Sequence, residues 1–253
     1  MPISPVIWRN QFENTVSPYG WDGTGTTGGA TAVNSNRPHH GNYGLYATIN
    51  AGALLGQHAS VLKACGTVAY HDHLFARAMN VMLDVLPYVT PPAGTMIDFY
   101  QVLGPATAIA MFGLGNNAGA LKWFSYYRNL AAFSTAWGPT AVLNTPYCVE
   151  AEVLQSSTGN ADGAIRLWVD GCLVIEQTGL DNDERDINYV GLGLISTDQG
   201  VAAQHMWGDC FVLSAARIRC ENALRSLRGR GGDSVQRSNQ FSSYRSGTRM
   251  GLH

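Results

Sequence analysis

Through most of the chain hydrophobic and polar residues alternate with a period of two. The alternating runs are short and separated by glycine, proline and asparagine, which predicts strands rather than helices. The first clear run is Gly44–Ile49. The longest spans residues 71–83, where His71, His73, Phe75, Arg77, Met79, Val81 and Leu83 share a face that passes from polar to apolar. Its alanines and methionines also suit a helix, but the alternation favours a strand, and Pro87 with Pro91-Pro92 ends the segment either way. Further strands are predicted at 95–103, 109–114, 121–127, 131–134, 148–154, 164–169, 172–176, 189–195 and 205–213. Asp170-Gly171 between two apolar runs predicts a tight hairpin, because a type I′ turn needs positive φ at both central residues. Residues 12–42, dominated by Gly, Thr, Asn and Pro, read as loop with one short strand. Many short strands without βαβ alternation make an all-β sandwich the expected architecture.

Charge changes the picture at the C-terminus. The net charge of −2 hides eight of the sixteen basic residues from Arg217 onward, all arginine, against only Glu221 and Asp233 there. The expected organisation is a sandwich over residues 1–216 and an Arg/Ser/Gly-rich tail over 217–253, with 215–227 as a short helical candidate. Such a tail has too little apolar surface to fold alone, and charge segregation of this kind marks an interaction segment. The acidic body makes a second copy, or a neighbouring structural subunit, its expected partner. Without a recognised nucleic-acid-binding module, the arginines point away from DNA or RNA. No basic-then-apolar leader opens the chain and no run of 18 apolar residues occurs, so neither a signal peptide nor a membrane span is expected. The five cysteines have no metal-binding spacing, and the apolar surroundings of most of them favour buried, reduced thiols.

Three stretches together resemble the concanavalin A-like lectin and glucanase superfamily of jelly rolls, which includes laminin-G-like domains. They are Phe12-Glu13-Asn14 with Trp21 and His40-Gly41-Asn42-Tyr43-Gly44-Leu45, the hairpin from Tyr147 through Asp170-Gly171, and Trp207-Gly208-Asp209-Cys210-Phe211-Val212-Leu213-Ser214. The resemblance covers residues 10 to 214. It implies a jelly-roll β-sandwich, a structural calcium held by Glu13 and Asp209, and ligand on a concave sheet. Fold alone does not fix activity.

Candidate chemistry is sparse. No Glu-x-Asp-x-x-Glu pattern of the glucanase branch occurs, and Asp98 stands alone in its strand. Glu150 and Glu152 share a face and read as solvated residues. His71-x-His73 has metal-ligand spacing but no third ligand. Lyases of this fold use Arg, Gln, His and Tyr to neutralise a uronate and move a proton, yet their Arg-x-Glu-x-Arg and Gln-x-His strands are absent. Aromatic rings are suited to stacking on sugars, so Arg77, Tyr100, Gln101, Trp123, Tyr127 and Trp137 form the candidate ligand set, with no catalytic residue among them. Alternation places Trp123 and Tyr127 on one face and Phe124, Tyr126 and Arg128 on the other, and leaves open which is core. The sequence therefore favours a non-catalytic structural protein of a virion or extracellular assembly that displays a lectin-like sandwich. A polysaccharide lyase or glycan-binding module is the alternative.

Overall fold

The computed structural model describes residues 6–17, 19–38, 41–52, 57–65, 73–87, 95–101, 107–130, 132–183, 186–195 and 202–220. All regular elements among them are strands, arranged as a jelly-roll β-sandwich of two antiparallel sheets. One sheet contains β3 (Gly29–Asn34), β4 (Gly44–Ile49), β6 (His73–Leu83), β11 (Tyr147–Leu154), β12 (Gly163–Val169), β13 (Cys172–Leu180) and β15 (Gln204–Ser214) in the order β13-β12-β11-β6-β15-β4-β3, and β1 (Val6–Asn10) also pairs with β15. The other has the order β10-β9-β8-β7-β14-β5-β2, from β2 (Gly23–Thr27), β5 (His58–Ala64), β7 (Thr95–Gln101), β8 (Thr107–Asn117), β9 (Ala120–Asn129), β10 (Ala132–Thr140) and β14 (Tyr189–Leu194). No helix of the described residues is long and apolar enough to cross a membrane.

The inner faces interdigitate as alternation dictates. Leu74, Ala76 and Ala78 of β6 and Val149, Ala151 and Val153 of β11 meet Ile97 and Phe99 of β7, Phe112 of β8 and Trp123 of β9 in one continuous core. Burial of each large side chain there contributes roughly 1.5–3 kcal/mol. Trp8, Phe12, Trp21 and Phe211 close one end, with ring centroids 4.7–5.9 Å apart.

The long β6 departs from strict alternation. Asn80 has φ 54°, and the register slips by one residue against both β11 and β15 at this point. This bulge carries Val81 and Leu83 into the core, so they do not share the outward face of Phe75, Arg77 and Met79 as expected. A second slip sits opposite, at Cys210 of β15 with φ 48°. The Asp170-Gly171 hairpin forms as predicted, with φ 50° and 85°, and Asp170 Oδ1 accepts the Cys148 N–H.

Two further expectations are corrected. Cys148 and Cys220 form a disulfide (Cα–Cα 6.0 Å), so they are not reduced thiols. Cys65 and Cys210 stay free, with burial pushing both thiols up to about 12, and Cys172 is free and exposed. Residues 215–219 are not helical, and 217–219 lie against the eight-stranded sheet; Cys220 is helical, and the rest of the helical candidate and of the arginine-rich tail, from residue 221, falls outside the described residues.

Candidate functional site

The two sheets differ sharply in what their outer faces offer. On the eight-stranded sheet the centre is closed by the protein itself. After β15 the chain returns across β11: Glu150, fully buried, accepts the N–H groups of Ile218 (2.6 Å) and Arg219 (3.3–3.4 Å). The Arg217 guanidinium lies 4.2 Å from the Trp168 ring, and Cys220 ties the strap to Cys148. Next to it Glu152 accepts from Arg166 (3.1 Å) and contacts His73 Nε2 (2.6 Å), while Arg166 also reaches Glu176. Burial works to raise the Glu152 pKa, but the His73 and Arg166 hydrogen bonds outweigh it and hold the carboxyl below its ordinary value. Glu150 and Glu152 do share a face, yet they are buried and paired rather than solvated.

The outer face of the seven-stranded sheet has a different character. One row of paired residues crosses all seven strands: Thr135, Tyr126, Met111, Asp98, Gly191, Leu62 and Gly23. Asp98 stands in the middle. It is 5 % exposed, and its Oδ1 is buried with no hydrogen-bond partner. Met111 adjoins it on one side, and on the other Ile195 and Leu62 pack over Gly191, where a Cβ would come within 3.2 Å of Ile195 Cδ1. Burial alone pushes the Asp98 carboxyl up to about 8, so it holds its proton at neutral pH. A buried carboxyl without a partner destabilises the fold, and in a sheet face that is a mark of function.

Aromatic rings flank this row. Tyr126 and Phe133, both half-buried, stack with centroids 4.7 Å apart and planes 3° apart, and Arg128 lies 5.5 Å above Phe133. Phe124 packs edge-on against Trp137, and Gly115 makes room for it: a Cβ there would come within 2.9 Å of the Phe124 ring.

The candidate ligand set is not brought together. Trp123 (2 % exposed) and Tyr127 (8 %) point into the core, the Tyr127 hydroxyl reaching Gln177 of the opposite sheet, so neither presents a ring to ligand. The outward set is Phe124, Tyr126 and Arg128. Trp137 pairs with Phe124 on this outer face. Tyr100 and Gln101 lie on β7, beyond Asp98, with side chains outside the described residues, as is all of His71. Arg77 belongs to the other sheet, where burial lowers its pKa against the opposing pull of Glu150. Sequence reasoning noted Asp98 only as unpaired. A lone Asp among Met96, Ile97 and Phe99 was the available signal, and only the register shows it central on an outer face.

No protein-family model matches the sequence, and no curated protein matches it either. Solved structures do. An endo-β-1,4-glucuronan lyase from the fungus Trichoderma reesei superposes with a TM-score of 0.62 at 16 % identity, covering 83 % of this chain and 96 % of that one. The cellulose-induced protein Cip1 gives 0.58 at 16 %, covering 84 % and 99 %. An alginate lyase from Aplysia kurodai gives 0.56 at 10 %, covering 82 % and 98 %. At such identities the likeness establishes the fold.

The residues implied for calcium are close together but otherwise engaged. Glu13 Oε1 accepts the N–H groups of Asn42 (3.0 Å) and Tyr43 (3.3 Å), and the fully buried Asp209 accepts from Cys210 through Oδ1. Both carboxylates act on the Cys210 thiol. Among the described residues no group of three or more His, Cys, Asp or Glu converges. Since calcium takes six to eight oxygens, most would have to be backbone carbonyls.

Proposed function

We propose that this protein binds polysaccharide on the outer face of its seven-stranded sheet. The observation that carries the reading is Asp98: a buried carboxyl whose Oδ1 has no partner, at the centre of that face, pushed up to about 8 by burial and in the same cross-strand row as Tyr126. A sugar hydroxyl or ring oxygen would accept its proton in a hydrogen bond, and the Tyr126–Phe133 pair would stack on the apolar faces of neighbouring rings. Solved structures of the same fold that act on glucuronan and alginate support a glycan ligand in preference to a purely structural role. Catalysis is a second reading on the same face, favoured by those lyases. The disulfide suits work outside a reducing cytoplasm, in keeping with an extracellular or virion-borne protein.

The test is binding to glucuronan, alginate and a neutral β-glucan by calorimetry. Tyr126→Ala with Phe133→Ala is expected to weaken binding about tenfold or more with little change in Tm, in line with roughly 1–2 kcal/mol for aromatic contacts. Wild-type affinity in the double variant, or no binding to any of the three polymers, overturns the proposal. Release of unsaturated uronide during the same incubations decides for lyase chemistry.

Calcium is proposed as a structural ion at Glu13 and Asp209. Adding it to chelator-treated protein is expected to raise Tm by several degrees, and Glu13→Gln to abolish the rise. An unchanged Tm in the wild type removes calcium from the account.

A further inference from the structure

A second cluster lies on the outer face of the eight-stranded sheet, near its β3 edge and apart from Asp98. Tyr46 of β4 pairs with Trp207 of β15, and Thr48 pairs with His205, so these four side chains share one face. The Tyr46 and His205 rings stack at 5.6 Å with planes 11° apart. Trp207 completes the strip, 5.3 Å from Tyr46 and 6.1 Å from His205. Toward the edge, β3 contributes only Ala32 and the exposed Ala30, opposite Tyr46 and Thr48, which leaves the aromatic strip standing above a low shelf.

The polar groups around the strip are held in place. Asp84 accepts the His205 backbone N–H (2.8 Å) through Oδ1 and contacts Nδ1 (2.5 Å) through Oδ2. A carboxylate can only accept, so Nδ1 carries the hydrogen and Nε2 is the imidazole atom left for another partner. Arg37 is exposed; its guanidinium sits 4.5 Å from the Trp207 ring and donates to Met82 Sδ. Among the described residues it forms no ion pair with a carboxylate. The Trp207 Nε1–H also lacks an acceptor.

We propose that this cluster is a second glycan subsite, selective for sugars that carry an anionic group. Flat rings in a row complement the C–H faces of pyranoses, and an arginine without a carboxylate partner, steadied over an indole, complements a carboxylate or sulfate through its fork of donors. His205, oriented by Asp84, adds a hydrogen-bonding atom from the opposite side of the strip. With ligand on both sheets one sandwich would cross-link or grip two strands, and avidity would then exceed either site alone.

The subsite does not rest on Asp98, and its test keeps the two apart. In a Tyr126→Ala/Phe133→Ala background, binding is measured for alginate, heparin and a neutral β-glucan with Arg37, Arg37→Gln and Trp207→Phe. Arg37→Gln is expected to lower affinity for alginate, heparin or both about tenfold and to leave the neutral glucan unchanged. Which polyanion responds identifies the group as carboxylate or sulfate. Trp207→Phe keeps an apolar ring in the sheet but removes the indole under Arg37, and is expected to weaken the same polyanion severalfold. Equal affinity in all three proteins, or no polyanion binding in the background variant, overturns the second subsite without bearing on the first.

Discussion

Asp98→Asn is expected to make the protein more stable at pH 8, and the advantage is expected to vanish near pH 4. In the fold burial pushes the carboxyl up to about 8, against an ordinary value of 3.8. Below the unfolded value both states carry the proton and Asp98 contributes no pH dependence. Between the two values the unfolded chain releases the proton while the native state keeps it, so stability falls as pH rises, and above the folded value it levels off. At roughly 1.36 kcal/mol per unit this amounts to at most about 6 kcal/mol. An asparagine amide has buried hydrogen-bonding groups of its own to satisfy, which reduces the expected gain to about 3 kcal/mol at pH 8. Denaturant melts of both proteins from pH 4 to pH 8.5 measure it. A variant equal to or less stable than wild type at pH 8 would mean that Asp98 has company in solution, and the functional reading of the sheet face would lose its basis. The same variant is expected to bind glycan more weakly, because the gain in stability and the loss of ligand come from one carboxyl without a partner.

Much of the fold was legible because the information is local. Apart from β5, which no predicted run covered, the strand positions from Gly44 onward follow from alternation, and the Asp170-Gly171 turn from the need for positive φ in two successive residues. β2 and β3 were hidden in the Gly- and Thr-rich stretch read largely as loop; their pairing with β5 and β4 supplies the order that their own residues do not. Asn80 shows a second limit. Alternation predicts one face for the whole of β6, and only the pairing with β11 and β15 reveals the bulge that turns Val81 and Leu83 inward. The candidate site was the least legible part. Alternation separated Trp123 and Tyr127 from Phe124, Tyr126 and Arg128 correctly, but which set faces the core depends on the opposing sheet. Arg77 was grouped with residues of β7 to β10 because nothing local says that consecutive strands enter different sheets. Glu150 and Glu152 looked solvated because the partners that bury them, Arg166 and residues 217–219, come from later in the chain.

Loss of the Cys148–Cys220 disulfide is expected to destabilise the sandwich by about 4 kcal/mol. The bond closes a loop of 72 residues, and the chain-entropy estimate for such a loop lies between the values for short and very long closures, at roughly 4 kcal/mol. In a protein of this size that corresponds to a fall in Tm of about 10 °C, given roughly 2–4 °C per kcal/mol. Cys148→Ser/Cys220→Ser and reduced wild type should agree in a thermal melt, since both remove the same constraint. Ending the chain at Ala216 should do more. It takes away the disulfide and also the Ile218 and Arg219 N–H groups and the Arg217 side chain that surround the fully buried Glu150. A buried carboxylate stripped of its donors adds a further loss of roughly 2–3 kcal/mol. The order expected is therefore wild type, then the double serine variant, then the truncation. If the truncated protein matches the double serine variant, Glu150 is not held by the strap and residues 217–219 do not belong to the sandwich. If the double serine variant matches wild type, the covalent tie is not what keeps the strap on the sheet, and Glu150 with the Arg217–Trp168 contact must hold it alone.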